Sequence, residues 1–325
     1  MDPPAATPIP RRPLRPGSSW ELSALTLAVD PPSRGDDGEQ AARVVRLARA
    51  WGITTFDIAS SEEPSASAAV LARAFPQGDP SVVVLAADPP RKVPPVPGGS
   101  PPRAARSLPG RPATGHDAPI RDARFRWLVE ADAASLPAGP APRPEEPSSL
   151  GAHSDPTVVR CLGADDVRSA SLLAPPRLLA GAYSLLEREL PEAALRAFGA
   201  DGFRWIAHDP FCGGRLDGSR FAPGSALTGL PEPRSVRELS ADFGSVAPLA
   251  FLVQPRTRTL AQAALRFVLD APWSLTVSLP PPPPERWAEI LGYAAAPPLT
   301  EEERRRAEQL TMTRDRGAPG RRWAT

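Results

Sequence analysis

The chain is poor in the side chains on which much chemistry depends. Among 325 residues there is one lysine, Lys92, with two cysteines, two tyrosines, two methionines and three histidines. Two cysteines, Cys161 and Cys212, are too few for a disulfide framework, so a reducing, cytoplasmic setting is the expected one. No apolar run reaches the roughly 18 residues of a membrane span, so no transmembrane helix is expected. The first residues carry Arg11 and Arg12 without an apolar segment behind them, so no signal peptide is expected. An excess of one charge is also lacking. With 38 basic and 37 acidic residues the formal net charge is +1, and no global field draws the chain to nucleic acid or membrane.

Proline, by contrast, is abundant at 45 residues, and it is clustered, marking stretches that cannot be regular secondary structure. Residues 1–16 read as a disordered, Pro-rich arm, and 314–325 as a basic tail. Between them hydrophobic periodicity alternates between helix and strand. Leu22–Val29 reads as an opening strand or a hairpin piece at a barrel floor. Glu39–Ala50 places Ala41, Val44, Val45 and Ala48 on one helical face, and Ile53–Phe56 is a short strand. Pro64 at a first helical position opens the next helix. Ser81–Ala87, SVVVLAA, is the continuous apolar run of a strand buried on both faces.

The pattern then fails over loops 89–122 and 133–156, with one strand, Phe125–Ala131, between them. It resumes with strands in TVVRCLG, RLLAGAYSL, FRWIAHDP and SLTVSLP. Helices lie in DVRSASLLA, PEAALRAFG, LAQAALRFVLDA and PERWAEILGYAA. Asp165 or Asp166, and Thr257 or Thr259, are candidate caps, and Thr300 with Glu303 reads as a capping box. A strand–helix count close to eight predicts a closed parallel (β/α)8 barrel over residues 17–313. Its third and fourth outer helices are expected to be missing or reduced to single turns within the two Pro-rich loops.

The stretch Trp51–Glu62, WGITTFDIASSE, ends a strand in a carboxylate, Asp57, which is how barrel enzymes present acids to an active-site mouth. It resembles the G-I-N-F-F-D-T-A-x-x-Y-G turn of the aldo/keto reductases. AYSLLERE from Ala182, IAHDPFCGGRLDG from Ile206, TLAQAALRFVLDAP from Thr259 and LTEEERRRAEQL from Leu299 resemble later segments of that family. The resemblance implies the family's barrel, and with it NADP(H)-dependent reduction of carbonyls. In that chemistry a Tyr protonates the oxygen, a Lys and a His tune the Tyr, and an Asp pairs with the Lys.

Matched position by position, only Asp57 of those four is kept. Glu62 stands at the Tyr position, Asp88 at the Lys position and Ala131 or Asp132 at the His position. The two tyrosines, Tyr183 and Tyr293, lie far away in sequence. General acid catalysis is worth ~100- to 10,000-fold, so this site should be a very poor carbonyl reductase. The cofactor contacts thin out too. Asp165 and Asp166 replace a Ser-Asn pair, and Ala180 a Gln. His208 stands for the aromatic that stacks on nicotinamide, and Pro282 and Pro283 occupy the phosphate-binding segment. If NADP(H) binds, the positions the resemblance implies for it are His208, Phe211, Gly213 and Arg286.

Two readings follow. One is a pseudoenzyme, a binding or regulatory protein without a tightly bound cofactor. The other is an NADP-dependent oxidoreductase acting on a carbonyl or alcohol, with Asp57 and Glu62 in a rewired site. A weaker third arises because Asp57, Glu62, Asp88, Asp132, Asp165, Asp166, His208 and Asp209 all fall at strand ends. Such a mouth accepts a cationic ligand, or a divalent metal on Asp57, Asp88 and His208. The plain alternative is that each acid caps a helix or faces solvent. The basic segment 89–124 lacks aromatics for base stacking, so nucleic acid is not an expected partner. Strands without outer helices would leave a face for a protein partner.

Overall fold

In the computed structural model the described residues are 8–31, 38–87, 125–132, 156–173, 177–219 and 236–312. Two short strands, β1 (Arg11–Pro13) and β2 (Glu21–Ser23), pair antiparallel. Eight more close into a parallel barrel: β3 (Leu25–Ala28), β4 (Thr55–Asp57), β5 (Val83–Ala87), β6 (Arg126–Asp132), β7 (Thr157–Arg160), β8 (Arg177–Ala182), β9 (Phe203–His208) and β10 (Ser274–Leu279). They follow one another in chain order, and β10 meets β3 to seal the ring. At that seam the hydroxyls of Thr26 and Thr276 bond at 2.7 Å, which satisfies two buried polar groups. Gly181 on β8 has a steric reason: a Cβ there would lie 2.7 Å from the Cys161 carbonyl oxygen.

Side chains of alternate residues fill the lumen. Val83, Leu85, Leu128, Val158, Leu178, Ala180, Ile206 and Leu275 form one buried cluster. Leu14 and Leu22 join it from the β1–β2 hairpin, which floors the barrel. Arg12 donates to the Ser274 carbonyl at 2.9 Å, and the Arg126 guanidinium lies 4.0 Å from the centre of the Trp20 ring. The expected disordered arm over residues 1–16 is therefore corrected in its second half. Ile9 and Leu14 are buried, and the apolar lumen would otherwise open to water at that end. The Leu22–Val29 stretch serves both purposes considered for it, since its first part is floor and its second the first barrel strand.

Helices α1 (Glu39–Ala50), α2 (Pro64–Ala74), α3 (Ala164–Ser169), α4 (Glu189–Phe198), α5 (Val236–Val246), α6 (Leu260–Leu269), α7 (Trp287–Leu291) and α8 (Glu301–Met312) alternate with the strands. The buried face of α1 is Ala42, Val45 and Ala48, rotated slightly from the predicted one. Thr259, not Thr257, caps α6, in a reciprocal pair with Gln262. Asp165 and Asp166 lie inside the first turn of α3, where the Asp166 carboxylate accepts the Leu162 and Gly163 amides. The Thr300–Glu303 capping box is present. Helix α5 was not expected. Loop 89–122, nearly all of 133–156 and the tail 314–325 lie outside the described residues, as do the helices expected to be missing there. The outward-facing Val82, Val84, Trp127 and Val129 of β5, β6 and their approaches are buried.

Candidate functional site

The C-terminal ends of the strands gather the polar residues. Asp57, the last residue of β4, is fully buried, and each of its oxygens is engaged. Its Oδ1 accepts the amides of Ala59 at 2.8 Å and Ser60 at 3.2 Å. Its Oδ2 accepts the hydroxyls of Ser60 at 3.1 Å and Ser278, from β10, at 2.7 Å. The first three bonds are local: Asp turns the chain out of the strand by holding amides two and three residues on. The fourth crosses the ring and ties β4 to β10. Asp57 therefore works here as an anchor for the strand-to-loop turn.

His208 ends β9 with its Nδ1 3.8 Å from Asp57 Oδ2, beyond hydrogen-bond length but within reach of its charge. Its Nε2 is buried without a hydrogen-bond partner among the described residues. Across the mouth, Glu130 of β6 is 3 % exposed and accepts Arg160 Nε at 2.7 Å on Oε1, while Oε2 has no partner among the described residues. Arg160, the last residue of β7, also donates to the Ala59 carbonyl at 2.9 Å. Burial costs its guanidinium, but Glu130, Asp132 and Asp57 together raise its pKa above the ordinary value. The mouth is thus a continuous network running His208, Asp57, Ala59, Arg160 and Glu130. Glu130, Arg160, Ser60 and Ser278 were not anticipated from the sequence. The available signal was a charged residue at alternate, lumen-facing positions of a strand: Glu130 two places after Leu128, and Arg160 two after Val158.

The other candidates separate. Glu62 is exposed on the turn before α2 and takes no part in the Asp57 hydrogen bonds. Asp88 lies outside the described residues, and so does Lys92. Neither tyrosine ring joins the mouth network, although the Tyr183 amide donates to the His208 carbonyl at 3.1 Å. Tyr183 packs on Phe267 and Trp273 under α6, and Tyr293 lies near the Arg266 guanidinium. Burial pushes the Tyr183 phenol up, and that of Tyr293 up to about 12. Neither is placed to donate a proton at the mouth.

Of the positions the resemblance implies for a cofactor, Phe211 packs against the core. The Gly213 amide is taken by both oxygens of Asp209, at 2.8 and 2.9 Å. Arg286 lies 2.8 Å from Glu289 and 4.0 Å from Asp217, and these ion pairs engage its charge although neither is a hydrogen bond. Proline at 281, 282 and 283 offers no backbone N–H to a phosphate.

Of the expected metal donors Asp57, Asp88 and His208, Asp88 lies outside the described residues. Among the described residues one group of three brings its ligand atoms within 4.8 Å: Glu187, Asp209 and Cys212, in the loops after β8 and β9. There Arg215 donates to Cys212 Sγ at 2.8 Å, a cation already in place, and burial pushes the thiol up to about 12. Burial also raises the Asp209 carboxyl to about 7. A carboxyl with a raised folded pKa stabilises the fold fully below its ordinary value of 3.8, and that stability is lost as pH rises through about 7. Asp209→Asn is accordingly expected to flatten the decline in stability across this interval, as read by urea unfolding at successive pH values. An unchanged slope would show that Asp209 titrates alike folded and unfolded.

No protein-family model matches the chain, and no curated protein matches it in sequence. Solved structures do match. An aldo-keto reductase, AKR11C1 from Bacillus halodurans in its apo form, is 16 % identical, with a TM-score of 0.57 over 93 % of this chain and 96 % of that one. The glycerol dehydrogenase AKR11B4 from Gluconobacter oxydans is 14 % identical, with a TM-score of 0.60 over 96 % and 98 %. The thermostable aldo-keto reductase Tm1743, with an inhibitor, is 13 % identical, with a TM-score of 0.54 over 92 % and 99 %. At such identity the likeness speaks for architecture: this chain folds as a (β/α)8 barrel of the aldo/keto reductase type.

Proposed function

We propose that this barrel is a pseudoenzyme, a binding protein that keeps the reductase scaffold without its chemistry. The observation that carries the reading is the state of Asp57. Its two oxygens accept four hydrogen bonds, from Ala59, Ser60 and Ser278, and among the described residues the cation-capable group within 4.0 Å of it is a histidine. A carboxylate so committed holds a turn. Among the described residues it has neither a lysine to polarise nor a tyrosine ring beyond it to acidify. The same reading places the protein in the cytoplasm, in keeping with its two free cysteines. Among the described residues no helix is long and apolar enough to cross a membrane.

One observation favours the alternative, an NADP-dependent oxidoreductase with a rewired site. His208 beside Asp57 is a pair in which a carboxylate orients an imidazole, and an imidazole can carry a proton near neutrality. For that enzyme Arg286 would have to release Glu289 and Asp217 to meet a phosphate. Titrating the full chain with NADPH while following cofactor fluorescence separates the two. No binding up to about millimolar concentration is the expected result, weaker than ~4 kcal/mol. Micromolar binding would overturn the pseudoenzyme and leave the His208–Asp57 oxidoreductase standing.

A further inference from the structure

We propose that the barrel mouth binds an elongated organic cation, a short alkyl chain carrying ammonium groups. The inference deepens the binding-protein reading above and rests on it. Three carboxylates, Asp57, Glu130 and Asp132, act on one guanidinium, Arg160, so acids outnumber guanidinium groups in this network among the described residues. Two buried atoms in the same network lack partners among the described residues, Glu130 Oε2 and His208 Nε2. Glu130 faces the lumen two residues beyond Leu128, is 3 % exposed, and spends only Oε1 on Arg160.

His208 turns Nδ1 toward the Asp57 carboxylate at 3.8 Å, and an imidazole with its one proton there offers Nε2 as an acceptor. Glu130 Oε2 is an acceptor, as is Nε2 of that tautomer, and what they lack is a donor. A buried acceptor without a donor is unfavourable, so a ligand supplying N–H groups gains at both places.

A single metal ion does not meet this need. No three carboxylate or imidazole donors of the mouth lie within 4.8 Å of one another among the described residues. A molecule with its donors spread along a chain can reach separated acceptors. A neutral diol could donate equally well, and the excess of carboxylates over guanidinium groups among the described residues is what favours the ammonium over it.

The test is calorimetric titration of the full chain with 1,4-diaminobutane, 1,4-butanediol and magnesium chloride in turn. The diamine is expected to bind at least about tenfold more tightly than the diol, and to weaken as sodium chloride is raised. Glu130→Gln is expected to lower diamine affinity about tenfold. Because that change also strips Arg160 of its partner, Asp132→Asn, at an exposed strand end, is the second variant, with a loss of about threefold. Equal affinity for diamine and diol, undiminished affinity in both variants, or displacement of the diamine by magnesium would each overturn the proposal. Should neither NADPH nor the diamine bind, this inference alone falls. Should NADPH bind, the pseudoenzyme reading falls whatever the diamine does.

Discussion

Arg258→Ala is expected to lower the stability of the chain by about 3–5 kcal/mol, the largest single effect foreseen outside the apolar core. Arg258 is 1 % exposed, and a buried guanidinium persists only if its donors are matched. Here they are. Nε donates to the Leu252 carbonyl at 2.9 Å, and one terminal nitrogen to the carbonyls of Pro297 and Pro298 at 3.2 and 2.9 Å. The other terminal nitrogen holds Glu303, which in turn caps α8 through Thr300. One side chain thus joins the turn before α6 to the approach and first turn of α8. Alanine leaves three carbonyl groups and a carboxylate without their donor, and a cavity the size of the side chain. Urea unfolding followed by circular dichroism measures the loss. A change below about 1 kcal/mol would mean that water replaces the guanidinium freely.

The second large effect separates an anchor from a catalytic relic at Asp57. Asp57→Ala is expected to cost about 3 kcal/mol, because two amides and two hydroxyls lose their common acceptor at a fully buried position. Asp57→Asn should cost about 1 kcal/mol. The amide oxygen still accepts from Ala59 and Ser60, and the hydroxyls of Ser60 and Ser278 can rotate to accept from the new NH2 group. Comparing the urea midpoints of the two variants is the measurement. If alanine and asparagine were equally harmless, Asp57 would not be holding the turn, and the reading of the site built on it would fail.

How much of this was legible in the sequence follows from the kind of information each feature needs. The run VVLAA announces a parallel strand buried on both faces, because every position in it is apolar over a length typical of a strand. The Thr300–Glu303 box was readable because both partners lie within one turn. Helix α5 was not, since its apolar positions are interrupted by Ser240, Asp242 and Gly244, and a window that short reads equally well as a loop. The first residues looked disordered because prolines dominate them, yet Ile9 and Leu14 are buried at the barrel floor.

The sequence by itself determined the barrel and the losses: one lysine, no tyrosine after the second barrel strand, and prolines where phosphate donors would stand. These are matters of residue type and local period, and both are written along the chain. Only the tertiary structure decided what occupies the mouth. The Glu130–Arg160 pair, the Ser278 hydroxyl on Asp57 and the approach of His208 join residues 30, 221 and 151 positions apart. Which of several acids meets which base is set by ring closure and strand register. A shift of one residue in that register would turn every one of these side chains to the opposite face.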